Sequence, residues 1–75
     1  MIAEHDSVVL TKDLPESGLV AGDVGIVVHV YRDRVAYEVE FVSLDGSTIA
    51  VETLEGSAIR AAARGDVPHV RELAA

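Results

Sequence analysis

The sequence predicts an all-β fold, a small five-stranded barrel followed by a short C-terminal tail. Runs rich in valine, isoleucine and threonine alternate with segments that contain glycine, proline and aspartate, which is typical of strands joined by turns. The stretch "YEVEF" (37–41) alternates apolar and acidic residues with the period of two that a half-buried strand requires. A chain of 75 residues forms one domain with a thin core.

A long irregular loop joins the first two predicted strands. The first strand is "SVVLTK" (7–12), the loop is "DLPESGLVAGD" (13–23), and the second strand is "VGIVVHVY" (24–31). The apolar residues of the loop predict that it folds back over one end of the core. Gly22 is expected to permit a sharp reversal into the second strand. Gly25 is expected to let that strand bend or let another backbone come close.

The third strand, "VAYEVEFVSL" (35–44), predicts a sheet with one face in water. The apolar side chains of the alternation should point to the core, and the acidic side chains should point to solvent. The core-facing residues are Tyr37, Val39 and Phe41, and the solvent-facing ones are Glu38 and Glu40.

The turn "DGST" (45–48) decides the register of the fourth strand, "TIAVETL" (48–54). A two-residue loop at Asp45 and Gly46 would place Glu52 on the core face. A three-residue loop, with Gly46 in the left-handed conformation, would shift the pairing by one residue and place Glu52 on the outer face.

We expect the three-residue loop, because a carboxylate buried without a partner costs free energy. Glu52 would then lie outside with Glu40, and Val51 would pack with Phe41.

The fifth strand closes the predicted fold. "EGS" (55–57) predicts one short helical turn, and "AIRA" (58–61) predicts a brief strand that buries Ile59. Five short strands, a long first loop, two tight hairpins and a single turn before the last strand indicate an SH3-like barrel over residues 1–61.

The tail, residues 62–75, loses β-branched residues and gains alanine. Asp66 could cap a short helix with Pro68 in its first turn. The apolar residues of such a helix would share one side: Val67, Val70 and Leu73 or Ala74. A helix this short is marginal unless it docks on the barrel or on a partner.

The charge and composition narrow the functional classes. The net charge is −7, from 13 acidic and six basic residues, so a phosphate backbone meets repulsion and nucleic-acid binding is disfavoured. The charge suits a basic partner or simply a soluble protein. There are no cysteines, which excludes disulfides, thiolate zinc sites and a cysteine nucleophile. We expect a cytoplasmic protein without membrane contact, because no apolar run approaches the ~18 residues of a membrane helix and the N-terminus is acidic.

Two blocks of the sequence resemble a known family. "DSVVLTKDLPESGLVAGDVGIVVHVY" and "AYEVEFVSLDGSTIAVETL" are similar to a family of short bacterial proteins of unknown function with an SH3-like barrel. Its members share the "VVLT-DLP-GL-GDVG-VV" opening and the "YEVEF…LDG" hairpin. The resemblance covers roughly residues 5–60 and implies a bacterial, cytoplasmic setting without an assigned activity.

Members of that family look like small operon-encoded accessory proteins, so the resemblance implies an antitoxin-like or accessory role. This chain has "RDRV" where a Pro-Asp-Gly turn is more usual, and a longer tail after residue 61. More distantly, the glycine-bend-strand element is similar to the KOW elements of ribosomal and transcription proteins and to the barrel of the nitrile hydratase β subunit.

Three glutamates and two tail residues are the candidate partner-binding residues. Glu38, Glu40 and Glu52 could share the outer face, with Asp45 near its edge. Three interpretations remain open for these glutamates, in order of preference: a solvated face, a docking patch for a basic partner, and a hard-cation site. Val70 and Leu73 would add apolar contacts.

No catalytic or cofactor pattern accompanies these residues. The "AGDVG" stretch lacks a phosphate-loop spacing and a following helix. His5, His29 and His69 lack metal-ligand spacing, and the serines lack a neighbouring base. We therefore predict neither enzymatic activity nor a cofactor.

The resulting hypothesis is a non-catalytic protein–protein interaction module. It would be an antitoxin-like or accessory subunit that binds a basic partner protein or itself. The first alternative is a nucleic-acid-associated KOW-like barrel that uses arginines: Arg32, Arg34, Arg60 and Arg64. The second alternative is an accessory subunit of a metalloenzyme.

Overall fold

The computed structural model describes residues 1–73, in which five β-strands form one antiparallel sheet with the order β4-β3-β2-β1-β5. The strands are β1 (Ser7–Leu10), β2 (Val24–Val30), β3 (Tyr37–Val42), β4 (Thr48–Leu54) and β5 (Ile59–Ala61). Single turns of 3-10 helix lie at Pro15–Ser17, Arg32–Arg34 and Gly56–Ala58. This architecture confirms the all-β prediction and is consistent with an SH3-like barrel. Within residues 1–73, none of the helical turns has the length and hydropathy to span a bilayer.

The core lies on one face of this sheet. Phe41, at 1% exposure, is the largest of the fully buried side chains. The long first loop contributes Leu19, because the backbones of Leu14 and Leu19 pair through hydrogen bonds of 2.8 and 3.2 Å and turn the loop inward. The prediction that this loop covers one end of the core is therefore confirmed. The remaining core residues are Val8, Leu10, Val27, Tyr37, Val39, Leu54, Ala58 and Ile59.

The alternation of β3 matches the sequence prediction. Tyr37, Val39 and Phe41 are buried, whereas Glu38 and Glu40 lie on the opposite face and are half-buried. The sheet therefore has a core face and an outer face, as the "YEVEF" pattern indicated.

The predicted turn between β3 and β4 is confirmed. Gly46 has a left-handed φ of +88°, and its N–H donates to the carbonyl of Ser43 at 2.9 Å. The N–H of Ser43 in turn donates to the carbonyl of Ser47 at 2.9 Å, which closes the three-residue loop.

The predicted register of β4 is nevertheless wrong. Val42 pairs with Thr48, but Phe41 pairs with Ala50, so Ile49 is an extra residue in a β-bulge. The bulge reverses the parity a second time, and both Ile49 and Ala50 pack against the core.

This second reversal corrects two side-chain predictions. Glu52 lies opposite Val39 on the core face, rather than outside with Glu40. Val51 lies opposite Glu40 on the outer face and is half-exposed, rather than packed with Phe41.

Two glycines shape the start of β2. Gly22 has a φ of +98°, and its N–H donates to the carbonyl of Leu10 at 2.8 Å, so the chain reverses there as predicted. Gly25 is buried, and a Cβ at this position would lie 2.5 Å from Val39 Cγ1 and 2.8 Å from Phe41 Cε2. The groups that come close to Gly25 are therefore core side chains rather than another backbone.

The described part of the tail, residues 62–73, contains no helix, so the helical prediction is wrong there. The Asp66 N–H donates to the carbonyl of Ala63 at 3.0 Å, and its carboxylate accepts the Ala63 N–H at 2.7 Å. Asp66 thus closes a turn instead of capping a helix, and so short a helix has little stability of its own. Ala74, the alternative to Leu73 on the predicted apolar side, lies outside the described residues.

Candidate protein-interaction surface

Glu38 and Glu40 occupy the middle strand of the outer face. Glu38 lies between His29 of β2 and Thr53 of β4, and Glu40 lies between Ile26 and Val51 of the same strands. The two carboxylates therefore project side by side from the face, but their neighbours differ in chemistry.

The Glu38 carboxylate is held by hydroxyl groups. Tyr31 donates its phenolic hydrogen to Oε1 of Glu38 at 2.8 Å, and Thr53 Oγ1 lies 3.4 Å from the same atom. The hydrogen bond to Glu38 raises the pKa of Tyr31. The His29 ring meets the Tyr31 ring edge-on, with centroids 4.7 Å apart. This end of the face is polar and internally hydrogen-bonded.

Glu40 is surrounded by exposed aliphatic side chains. Its carboxylate accepts a hydrogen bond from Thr48 Oγ1 at 2.7 Å. The neighbouring aliphatic residues share the outer face and are 41–50% exposed. We call them the outer apolar patch: Val24, Ile26, Val42 and Val51. Exposed apolar surface with a polar rim is typical of interaction sites.

Glu52 does not join the other two glutamates. It lies on the core face, half-buried, and Ser17 Oγ donates a hydrogen bond to its carboxylate. The sequence prediction placed Glu52 outside because a carboxylate on the core face would lack a hydrogen-bond partner. The hydroxyl of Ser17 is that partner. Ser17 lies 35 residues away in the first loop, so no local pattern could have revealed the pair.

Asp45 acts within its own turn. Its Oδ1 accepts the Ser47 N–H at 3.0 Å and the Ser43 hydroxyl. The hydrogen bond from Ser43, followed by those from Ser47, lowers the pKa of Asp45. The predicted acidic surface is therefore reduced to Glu38 and Glu40.

A groove of about 700 Å³ opens at the edge of the outer apolar patch. The described pairing of β2 with β3 starts at Ile26 and Glu40, while the residues before Ile26 pair with β1. The start of β2 and the end of β3 therefore diverge, and the tail lies along the opening. We call this cavity the tail groove. Its apolar lining includes Leu19, Val24, Phe41, Val42, Val70 and Leu73.

An ion pair that the sequence analysis missed holds the tail at the groove. Arg71 Nε and Nη2 lie 2.9 and 2.5 Å from the two carboxylate oxygens of Asp23, and Nη2 also donates to the carbonyl of Gly18 at 3.0 Å. The hydrogen bond from Arg71 lowers the pKa of Asp23, and the pKa of Arg71 is raised. Because 48 residues separate the partners, only the path of the tail brings them together.

Residues 4–61 match a family described as a domain of unknown function, DUF4926. The chain belongs to this family. The match confirms the resemblance to a family of unknown function that the two sequence blocks carried. We found no curated protein and no solved structure that matches the chain. The DUF4926 match includes all five strands and ends at Ala61, the last residue of β5, so Val70, Arg71 and Leu73 lie beyond it.

A second ion pair joins the DUF4926 domain to the tail. The two terminal nitrogens of Arg60, in β5, lie 2.8 and 3.1 Å from the carboxylate oxygens of Asp66. Arg60 and Arg34 both belong to the nucleic-acid alternative, but Arg60 pairs with Asp66 and the Arg34 guanidinium donates to the carbonyl of Ile2. Residues 1–73 contain no group of three or more histidines and acids that could hold a metal ion.

We expect the pKa of the Asp66 carboxyl to be about 2 instead of its ordinary 3.8, because the hydrogen bond from the Arg60 guanidinium stabilises the charged form. Because the pKa is lowered in the folded chain, the Asp66 carboxylate stabilises the turn fully above pH 3.8. This stabilisation is lost as the pH falls toward 2. An NMR pH titration of the carboxyl carbon measures this midpoint.

Arg60→Gln should return the Asp66 midpoint toward 3.8. Arg64→Gln is the matched control, because it removes the same charge next to the turn without removing a hydrogen bond to Asp66. An unchanged midpoint in Arg60→Gln would show that the ion pair does not set the Asp66 pKa.

Proposed function

We propose that this DUF4926 protein is a non-catalytic protein-interaction module, an accessory or antitoxin-like subunit that binds a basic partner protein in a bacterial cytoplasm. The observation that carries the proposal is the outer apolar patch with Glu40 at its centre. Four aliphatic side chains, each 41–50% exposed, surround this carboxylate on a chain of net charge −7.

The patch has the chemistry of a binding surface. Burial of aliphatic side chains supplies affinity, and complementary charges select the partner and speed association. Among residues 1–73 the close contacts between acidic and basic side chains join His29 to Glu4, Arg60 to Asp66 and Arg71 to Asp23, so none of them involves Glu38 or Glu40. These two glutamates favour a partner that presents lysine or arginine next to an apolar surface.

The hydrogen bonds of the other candidate groups support a non-catalytic role. Glu38 is held by Tyr31, Asp45 by Ser43 and Ser47, and Glu52 by Ser17. These contacts fix the outer face, the β3–β4 turn and the first loop, so each of these carboxylates has a structural role.

The proposal is tested by isolating the partner and measuring its affinity for patch variants. Affinity capture from the source cell should yield a basic protein that forms a stoichiometric complex after purification. Val51→Ser should raise the Kd about tenfold, because it removes apolar contact from the patch directly beside Glu40. Calorimetric titration measures this change.

Val35→Ser is the matched control, since Val35 is 69% exposed but lies outside the patch and the tail groove, and it should leave the Kd unchanged. Raising the salt concentration should weaken the complex through Glu38 and Glu40. A complex that responds equally to both valine variants, or a chain that forms no stoichiometric complex, would refute the proposed function.

A further inference from the structure

We propose that Asp23 and the carbonyl of Gly18 form a binding site for an arginine of a basic partner segment, and that Arg71 of the tail occupies this site until the segment displaces it. The inference rests on the proposed function, because it specifies where and how the basic partner binds. It adds a recognition site and a built-in competitor to the outer apolar patch.

The site is formed by the first loop without help from the tail. The Asp23 carboxylate accepts the Val20 N–H at 2.9 Å, and Asp13 accepts the Ala21 N–H at 2.9 Å. Gly18 ends the 3-10 turn in a left-handed conformation, with a φ of 73°. Because Leu19 anchors this loop in the core, the acceptor atoms are held in place before any guanidinium arrives.

The three acceptors match a guanidinium. Two carboxylate oxygens receive Nε and Nη2 of Arg71 as a fork, and the Gly18 carbonyl receives a further N–H from Nη2. A planar guanidinium satisfies all three acceptors at once, whereas a lysine ammonium cannot form the two-nitrogen fork. The Asp23 side chain is only 18% exposed and that of Arg71 31%, so the pair is partly shielded from water.

Apolar contacts flank the arginine. Leu73 Cδ1 lies 3.7 Å from the position that a Cβ of Gly18 would occupy, and both Val70 and Leu73 line the tail groove. The segment "VREL" (70–73) therefore shows which sequence the groove accepts, namely an arginine with an aliphatic residue before it and another two positions after it.

The tail is loosely attached, as an exchangeable ligand must be. In residues 67–73, the hydrogen bonds to the rest of the described chain all come from Arg71. Val67 is 87% exposed and Val70 72%. Few buried contacts and hydrogen bonds from a single residue are features of segments that open at low free-energy cost.

Charge favours an external basic segment over the tail. Residues 1–61 contain 11 of the 13 acidic residues and four of the six basic ones, so they carry the whole net charge of −7. The tail has two residues of each sign and is neutral, with Glu72 next to Arg71. A segment with arginine and no acid is therefore attracted more strongly than the tail.

The tail groove also continues into the proposed binding surface. Two residues of the outer apolar patch, Ile26 and Val42, also line the groove, and so does Glu40, which the patch surrounds. A partner seated on the patch thus reaches the tail without a second surface. Partner binding and release of Arg71 are then coupled.

The test uses the full chain and a synthetic peptide of residues 67–73 in which Glu72 is replaced by lysine. Arg71→Ala should bind this peptide about tenfold or more tightly than the wild-type chain does, because the intramolecular competitor is gone. Fluorescence anisotropy of the labelled peptide measures the Kd. Arg64→Ala is the matched control, since it removes the same charge from the tail without touching Asp23, and it should bind like the wild type.

The arginine requirement is tested on both sides of the contact. Asp23→Asn in the Arg71→Ala chain should abolish peptide binding. A peptide with lysine in place of its arginine should bind the Arg71→Ala chain at least about tenfold more weakly. The peptide comparison remains decisive if Asp23→Asn perturbs the loop. Equal binding of both peptides would overturn the proposal, as would equal binding to the wild-type and Arg71→Ala chains.

The isolated partner separates this inference from the proposed function. Arg71→Ala should tighten the complex, and Asp23→Asn should weaken it. A partner whose affinity responds to Val51→Ser but to neither of these changes would overturn the arginine site and leave the proposed function standing. Peptide binding as expected without any cellular partner would support the arginine site and refute the proposed function. A concentration-dependent dimer that Arg71→Ala abolishes would show tail exchange between copies and overturn the proposal.

Discussion

Phe41→Ala is expected to lower the free energy of unfolding by about 3–5 kcal/mol, because it removes a buried aromatic ring and leaves a cavity. Phe41 is 1% exposed and is the largest of the fully buried side chains. Domains are stable by only about 5–15 kcal/mol, and a small domain has a thin core. The substitution should therefore remove a large share of the stability of this domain, which urea denaturation followed by circular dichroism will measure.

Leu44→Ala is the control for this experiment. Leu44 is 93% exposed in the turn after β3, so its truncation should change the free energy of unfolding by less than about 0.5 kcal/mol. A loss below about 1 kcal/mol for Phe41→Ala would contradict the assignment of Phe41 to the centre of the core.

Gly25→Ala is expected to lower the free energy of unfolding by about 1–3 kcal/mol, because the added methyl overpacks the core. The new Cβ would lie 2.5 Å from Val39 Cγ1 and 2.8 Å from Phe41 Cε2, distances at which the side chains or the strand must move. The same denaturation measurement applies.

Gly65→Ala is the matched control, because a Cβ there meets nothing within 4 Å. It should leave the chain as stable as before or slightly more so. Val39→Ala provides a second check, since it removes the atom closest to the new methyl, and Gly25→Ala should cost less in that background. A Gly25→Ala chain as stable as the Gly65→Ala chain would disprove the close packing.

The register of β4 shows where local sequence reasoning stopped. The Asp45-Gly46 turn follows from residue types, because glycine adopts the left-handed conformation without strain. The bulge at Ile49 does not follow from them, since it depends on how Ile49 and Ala50 both reach the core. The predicted face of Glu52 would be correct if the turn alone set the register. The bulge one residue pair beyond the turn moves Glu52 to the opposite face.

Part of the candidate site follows from the local sequence pattern, and the rest follows only from the pairing of the strands. The positions of Glu38 and Glu40 follow from the period-two pattern of β3 alone. The outer apolar patch also required the pairing of β2 and β4 with β3, which places Ile26 and Val51 on either side of Glu40. The local pattern of the "VREL" segment predicts part of a short helix, and nothing in that pattern places Arg71 at Asp23 in the first loop.

The sequence by itself determined the all-β class, the five strands, the faces of Tyr37, Val39 and Phe41, and the left-handed turn at Gly46. These features depend on side-chain periodicity and on backbone preferences, which act over a few residues. Only the tertiary structure decided that Glu52 faces Ser17 and that Arg71 reaches Asp23. The partners in these pairs are 35 and 48 residues apart, so their contact depends on where packing places each segment and no local pattern encodes it.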